Sequence, residues 1–352
     1  MATPDITVRG AGIFGLSVAW ACQSRGAHVQ VIDPGGPGAG ASGGIVGALA
    51  PHVPERWNPK KAFQLESLLT AEGFWAEVKV VSGLSPGYAR TGRLQPLKDA
   101  AALDLARQRA SSAAEIWGPH ATWSVIEADP DAAWGPRTET GHLVHDTLTA
   151  RIHPRRACES LAAAIAARGG EVLRDGEEAG TVIHATGTAG LKTLSESLGK
   201  PLGDGVKGQA LLLRHAAPEG APQIFADGLH IVPHADGTVA IGSTTERDFT
   251  HETPEIGATD ALLDRAVAVL PILHGAAILS RWAGLRPRAI TRAPLLGPWP
   301  GRPGQFIANG GFKIGFGMAP GVAEVMADLV LDGRDRIPEG FRIDDALARA
   351  SR

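Results

Sequence analysis

Gly10, Gly12 and Gly15, with Asp33 behind them, have the spacing in this chain that most directly implies a chemistry. They lie in Ile6-Thr7-Val8-Arg9-Gly10-Ala11-Gly12-Ile13-Phe14-Gly15, which reads as a strand running into a glycine turn. Gly10 allows the tight turn. Gly12 lets backbone approach a pyrophosphate, because no Cβ intervenes. Gly15 lets the following helix pack close to the sheet. That helix then offers unpaired N–H groups and the positive end of its dipole to phosphates. Asp33 follows about 20 residues past the glycines, where a carboxylate accepts from adenosine ribose hydroxyls. An acid there disfavours a 2′-phosphate. The pattern predicts a dinucleotide site and leaves FAD and NAD open, since both carry the same adenosine diphosphate half.

The elements that must hold these residues can be read from the same sequence. Leu16 to Arg25 lacks Pro and Gly, and Gly26 supplies the stop. Residues 27–33 read as a second strand. Residues 34–50 are rich in small residues and follow that strand at the carboxyl edge of a sheet, where α/β proteins bind ligands; the composition alone would also suit a flexible linker. An amphipathic helix is expected over 60–82, with Phe63, Leu65, Leu68, Leu69 and Phe74 near helical spacing. Strands are expected at 93–97 and 141–145, with an Ala-rich helix at 99–116 between them. A second unit follows: a helix from His153 to about Arg168, then strands at 171–173 and 180–187 returning to the first sheet. Residues 207–246 alternate strands and turns, as an antiparallel sheet over a ligand would. A helix over 258–270, strands over 277–282 and 305–311, and a helix from Gly321 to Leu331 complete the chain.

Composition narrows the class. The 352 residues suffice for two domains with sizeable cores. A net charge of −3 implies no polyanion partner, so no nucleic acid is expected. The two cysteines, Cys22 and Cys158, sit among small apolar residues and read as buried thiols. No CxxC occurs, so no metal or iron–sulfur site is expected. The first strand begins without a basic-then-apolar leader, and no run reaches about 20 apolar residues, the length of a membrane span. A cytoplasmic protein is expected, with homo-oligomerisation left open.

Further segments then fall into register. Ser42-Gly43-Gly44 leads into Val46-Gly47-Ala48, and Val182 to Gly187 is a strand with a small-residue turn. Gly208-Gln209 and Ile231-Val232-Pro233 follow. Trp282-Ala283-Gly284-Leu285-Arg286-Pro287 precedes the glycine-rich run Gly310-Gly311-Phe312-Lys313-Ile314-Gly315. In this order they resemble the D-amino-acid oxidase superfamily of FAD-dependent amine oxidoreductases, and within it the glycine oxidases. The resemblance spans nearly the whole chain and selects FAD. It implies an α/β fold (α+β overall): a Rossmann-like FAD-binding domain over 1–60, 145–200 and 295–352, and a discontinuous antiparallel-sheet substrate domain over 61–144 and 201–294.

The resemblance also assigns roles. Gly10, Gly12, Ile13, Phe14, Gly15 and Asp33 would hold the nucleotide half. Ser42 would face the pyrophosphate or ribityl chain; a helix N-cap is its alternative role. Val46, Gly47 and Ala48 would line the isoalloxazine, Val172 would meet the adenine through its backbone, and Gly187 would flank the diphosphate. Gly310, Gly311, Phe312, Ile314 and Gly315 would border the flavin, with the next helix dipole favouring its reduced, anionic form. Arg286 would clamp a substrate carboxylate through its guanidinium fork. Lys313 stands where glycine oxidases often carry arginine, and His230 where relatives carry tyrosine. The sole tyrosine, Tyr88, lies elsewhere. Residues 173–180 are too few for the family's usual three-stranded meander. The implied activity is oxidation of a small amino acid or secondary amine by hydride transfer from Cα to flavin N5. A dehydrogenase with a non-oxygen acceptor, or a flavoprotein subunit of a larger complex, remains the alternative.

Overall fold

A computed structural model describes residues 3–351. The chain opens with β1 (Ile6–Arg9), α1 (Ile13–Ser24), β2 (Val29–Ile32), β3 (Ala48–Leu49) and α2 (Pro59–Ser82). It continues through β4 (Arg93–Pro96), α3 (Ala100–Trp117), β5 (Trp123–Glu127), β6 (His142–Asp146), β7 (Ala150–Arg151) and α4 (Pro154–Ala167). Next come β8 (Glu171–Leu173), β9 (Thr181–His184), α5 (Gly187–Leu198), β10 (Gly203–Arg214), β11 (Gln223–Ala226), β12 (Leu229–Pro233) and β13 (Thr238–Gly242). It ends with α6 (Ile256–Val269), β14 (Ala277–Ala289), β15 (Leu295–Pro298), β16 (Gln305–Asn309), α7 (Gly315–Asp332) and α8 (Ile343–Ala350).

Two sheets organise these elements. The first has the order β15-β16-β9-β1-β2-β8 and is parallel except for β15. Helix α1 is buried without a break from Ile13 to Cys22. A helix apolar on every side must be enclosed, and α1 is packed between the sheet and the helices α4 and α7. Its Leu16, Val18 and Ala19 are fully buried, and burial of a large aliphatic side chain contributes about 1.5–3 kcal/mol. Gly26, at φ +95°, ends the helix run as expected. Both cysteines are buried, and burial pushes both thiols up to about 12.

The second sheet has the order β14-β10-β13-β12-β11-β4-β6-β5 and is antiparallel apart from the β11–β4 pair. Its longest pairing joins β10 to β14, from Gly203 opposite Ala289 to Arg214 opposite Ala277. Helix α2 falls in the stretch read as substrate domain, yet it packs on α4 and α7. Its Phe63, Leu68, Ala71 and Trp75 share one core with α1, so residue 60 does not separate two packing units.

Three expectations need correction. The C-terminal helix starts at Gly315, six residues before Gly321, and carries Pro320 inside it. The helix runs through Pro320 rather than beginning after it. The strand expected at 277–282 runs on to Ala289, so Arg286 stands on a strand. Pro287 is tolerated because β14 is the sheet edge. Helix α5 and strands β5, β11 and β15 have no counterpart in the sequence reading. By contrast, residues 174–180 form no strand, and β8 stands at the edge of the first sheet.

Candidate active site

The glycine turn after β1 is dictated by contact. Gly10 has φ +105°, and a Cβ there would lie 2.4 Å from the Ala185 carbonyl oxygen. A Cβ on Gly15 would lie 1.9 Å from the carbonyl oxygen of Gly10. Asp33 sits beyond β2, where its carboxylate accepts from the Ala11 N–H at 2.7 Å and the Gly35 N–H at 2.9 Å. The Ser42 hydroxyl accepts from the Ile13 N–H at 2.9 Å. It thus caps α1 across 29 residues of chain and keeps its own proton free to donate. The glycine-rich stretch is a packed wall, not a linker. A Cβ on Gly43 would meet the Gly38 carbonyl oxygen at 2.1 Å, and one on Gly47 the Ile152 carbonyl oxygen at 1.8 Å.

These groups line one cavity of about 1160 Å³. Drug-sized ligands occupy about 300–1,000 Å³, so the space suits a dinucleotide with a small substrate. The first turns of α1, α5 and α7 all reach its wall, through Gly12 to Phe14, Gly187 to Ala189 and Gly315 to Gly317. Three helix N-termini around one space favour a bound anion. The earlier start of α7 is what brings its first turn to the cavity. Buried Asn309 ties these parts together, donating to the Gly187 carbonyl at 2.9 Å and accepting from the Gly310 N–H at 2.8 Å.

The other end is built from side chains. Trp282, Gly284, Arg286 and Arg288 alternate along β14 and project to one face. The Arg286 guanidinium lies flat over Gly208, where a Cβ would fall 1.9–2.0 Å from its atoms. It donates to the Ser243 hydroxyl at 2.7 Å and to the Thr244 carbonyl at 3.1 Å. Burial pushes Arg286 down to about 10, against the pull of the Glu246 charge. Lys313 donates to the Thr245 hydroxyl at 2.6 Å. Its pKa is lowered by burial and then by the charge of Arg286. His230, on β12, is driven down to about 3 by burial and by the charges of Arg93, Lys313 and Arg286. It is therefore a neutral imidazole at physiological pH. Its ring lies 4.6 Å from that of Phe225, and its buried Nδ1 has no protein partner. Phe312 adopts φ +43° and puts its ring 5.8 Å from both Arg288 and Lys313. A bulky residue in that region costs on the order of 1–3 kcal/mol, a strain that clusters at functional sites.

Arg286, Lys313 and His230 meet on the same wall as Gly10, Gly12, Ile13, Phe14, Asp33, Ser42, Val46, Gly47, Ala48, Gly187, Gly311, Phe312 and Gly315. Gly15, Val172, Gly310 and Ile314 are not on that wall. Gly15 and Gly310 are close-packed behind it, Ile314 packs into the core, and Val172 pairs with Val31 at the sheet edge. His52 turns to Gln64 instead. Sequence reasoning missed Phe225, Trp282 and Ser243 as site residues. Asp227-Gly228, at φ +46° and +79°, forms the two-residue turn joining β11 to β12. That Asp-Gly pair was the available signal for the hairpin that carries Phe225.

Among the described residues no His, Cys, Asp and Glu cluster could hold a metal ion, and no helix is long and apolar enough to cross a membrane. The residues present could hold FAD: backbone N–H groups and Ser42 would take the diphosphate, Asp33 the ribose, and the Val46–Ala48 segment with the α7 turn the ring.

Comparison with known proteins agrees. Glycine oxidase of Pseudomonas putida is 27% identical over 377 residues, spanning 96% of this chain and 98% of that protein. Glycine oxidase of Pseudomonas aeruginosa is 29% identical over 369 residues, spanning 94% and 96%. Among solved structures, glycine oxidase from Geobacillus kaustophilus shares the fold with a TM-score of 0.82 at 22% identity, over 95% of each chain. Iminodiacetate oxidase from a Chelativorans species does so with a TM-score of 0.81 at 22% identity, over 96% and 98%. The model of the FAD dependent oxidoreductase family, DAO, matches residues 5–329. The chain belongs to this family and is a glycine oxidase-like, FAD-dependent oxidoreductase.

Proposed function

We propose that this enzyme oxidises an amine that bears a carboxylate, an amino acid or its N-substituted form, at the carbon between nitrogen and carboxylate. The observation that carries the reading is Arg286. Its guanidinium is fixed flat on Gly208, borders the cofactor cavity, and among the described residues is held only by a hydroxyl and a carbonyl. That leaves N–H donors for a planar anion.

Arg286 holds the carboxylate and so aims the neighbouring C–H into the cavity. The amine must be neutral to react. Arg286 and Lys313 nearby lower the pKa of a bound ammonium by like-charge repulsion, so no dedicated base is needed. Neutral His230 borders the same cavity and adds no charge to it. Trp282 and Phe225 exclude water from this end. Bound FAD supplies the two-electron acceptor. The substrate loses a hydride from carbon and a proton from nitrogen, a C=N bond forms, and water hydrolyses it to an amine and an oxo acid. The electrons pass on to dioxygen or another acceptor.

The test is an anaerobic screen of the flavin-loaded protein with glycine, sarcosine, D-amino acids and N-alkyl glycines. Bleaching of the flavin by at least one such compound is expected. Bleaching by simple amines that lack a carboxylate, at equal or lower concentration, would contradict the reading.

A further inference from the structure

The reactive end of the cavity carries more positive charge than one carboxylate needs. Arg286 donates to Ser243 and Thr244, and Lys313 to Thr245; among the described residues neither is held by an acid. Glu246 is the acid whose field reaches Arg286, but its oxygens already accept from Lys207, Gln209 and Thr244. Two acids lie on the cavity wall near neither cation's donors. Asp33 is held by the glycine turn, and Glu252 is exposed to solvent, where its charge is screened. His230 is neutral and adds no compensation.

Further cations stand near one another around Arg288, off the cavity wall. Arg288 lies over the Phe312 ring, and its pKa is lowered by burial and by the charges of Arg247 and Arg292. Lys60 donates to the Arg292 carbonyl at 3.4 Å and feels the Arg292 charge. This concentration stands on a chain whose net charge is −3. The head of α1 and the glycine turn would take the diphosphate, and the α7 turn that follows Lys313 the flavin ring. Arg286 is half-buried and Lys313 exposed, and a ligand that brings two anions would match both charges.

We propose that the natural substrate is an aminodicarboxylate, with one carboxylate on Arg286 and the second on Lys313. The inference rests on the amine-oxidation reading and narrows it to substrates with two carboxylates flanking or near the amine. A monocarboxylate leaves Lys313 without an anion.

The experiment compares sarcosine with iminodiacetate and D-aspartate in anaerobic reduction of the holoenzyme, in wild type, Lys313→Met and Lys313→Arg. A parallel arm measures the thermal shift given by thiodiacetate, which has no amine to oxidise, against methylthioacetate. In wild type a dicarboxylate should bind tighter than its monocarboxylate counterpart by about 10-fold or more, the size of one added charge-assisted hydrogen bond. Lys313→Met should bring that ratio near one while retaining flavin, and Lys313→Arg should keep it. Equal affinity for the two classes in wild type, or a preference that survives Lys313→Met, would overturn the inference. Reduction by sarcosine with no dicarboxylate preference would sink the inference and leave amine oxidation standing. No reduction by any amine would sink that reading, and the thiodiacetate shift would still decide whether two carboxylates bind.

Discussion

The two ends of the cavity are made of different material. The nucleotide end is backbone: the Gly10 turn, the N–H groups at the head of α1, and a wall of glycines pressed against carbonyl oxygens. The reactive end is side chain: Arg286 from β14, His230 from β12, Phe225 from β11 and Lys313 from the loop after β16. A backbone site is specified where a Cβ cannot fit, so its tolerance is measured in tenths of an ångström. A side-chain site is specified by which strands are brought side by side.

The largest effect should come from the backbone end. Gly10→Ala places a Cβ 2.4 Å from a carbonyl oxygen at a φ that L residues avoid. The variant should purify without flavin, read as loss of visible absorbance, and all activity should go with it. Gly208→Ala should act at the other end. The new Cβ meets the guanidinium at 1.9–2.0 Å and displaces Arg286, so flavin content should persist while KM rises on the order of 100-fold. Loss of flavin in the second variant, or its retention in the first, would break the division between the two ends.

That division also explains what the sequence made legible. Gly10, Gly12, Gly15 and Asp33 lie within one local unit, and their spacing encodes a geometry that the chain must adopt. Arg286 was found only through the motif around it. Its actual floor, Gly208, lies on another strand, and no local pattern announces that β10 and β14 will pair. Phe225 was missed although Asp227-Gly228 marks its hairpin, because nothing local tells that this hairpin borders the cavity. The head of α7 was placed six residues late, because the glycine-rich run 310–317 reads locally as a turn, whereas packing of α7 on α1 and α2 carries the helix back to Gly315.

A smaller effect concerns pH. His230 is held at about 3 and His153 at about 4, both below the ordinary 6.5, chiefly by burial. Unfolding lets each bind a proton below about pH 6.5, so stability falls as pH drops from there toward the folded values. His230→Asn should remove one proton from that slope, about 1.4 kcal/mol per pH unit. Denaturant titrations of both proteins between pH 5 and about 6.5 read the difference. Parallel slopes would mean that His230 is not held neutral. The smallest effect is expected from Ser42→Ala, which leaves the Ile13 N–H without its cap. About 1 kcal/mol of stability should be lost, seen as a Tm lower by a few degrees, with substrate KM little changed.

Arg286 is the residue proposed to hold the substrate carboxylate. Its most direct test is rapid-mixing anaerobic reduction of Arg286→Ala beside wild type, with the best substrate from the amine screen. The variant should keep its flavin and visible spectrum, and its substrate dissociation constant should rise about 30-fold or more, the loss of a desolvated charge pair. An unchanged dissociation constant in the flavin-loaded variant would contradict the account.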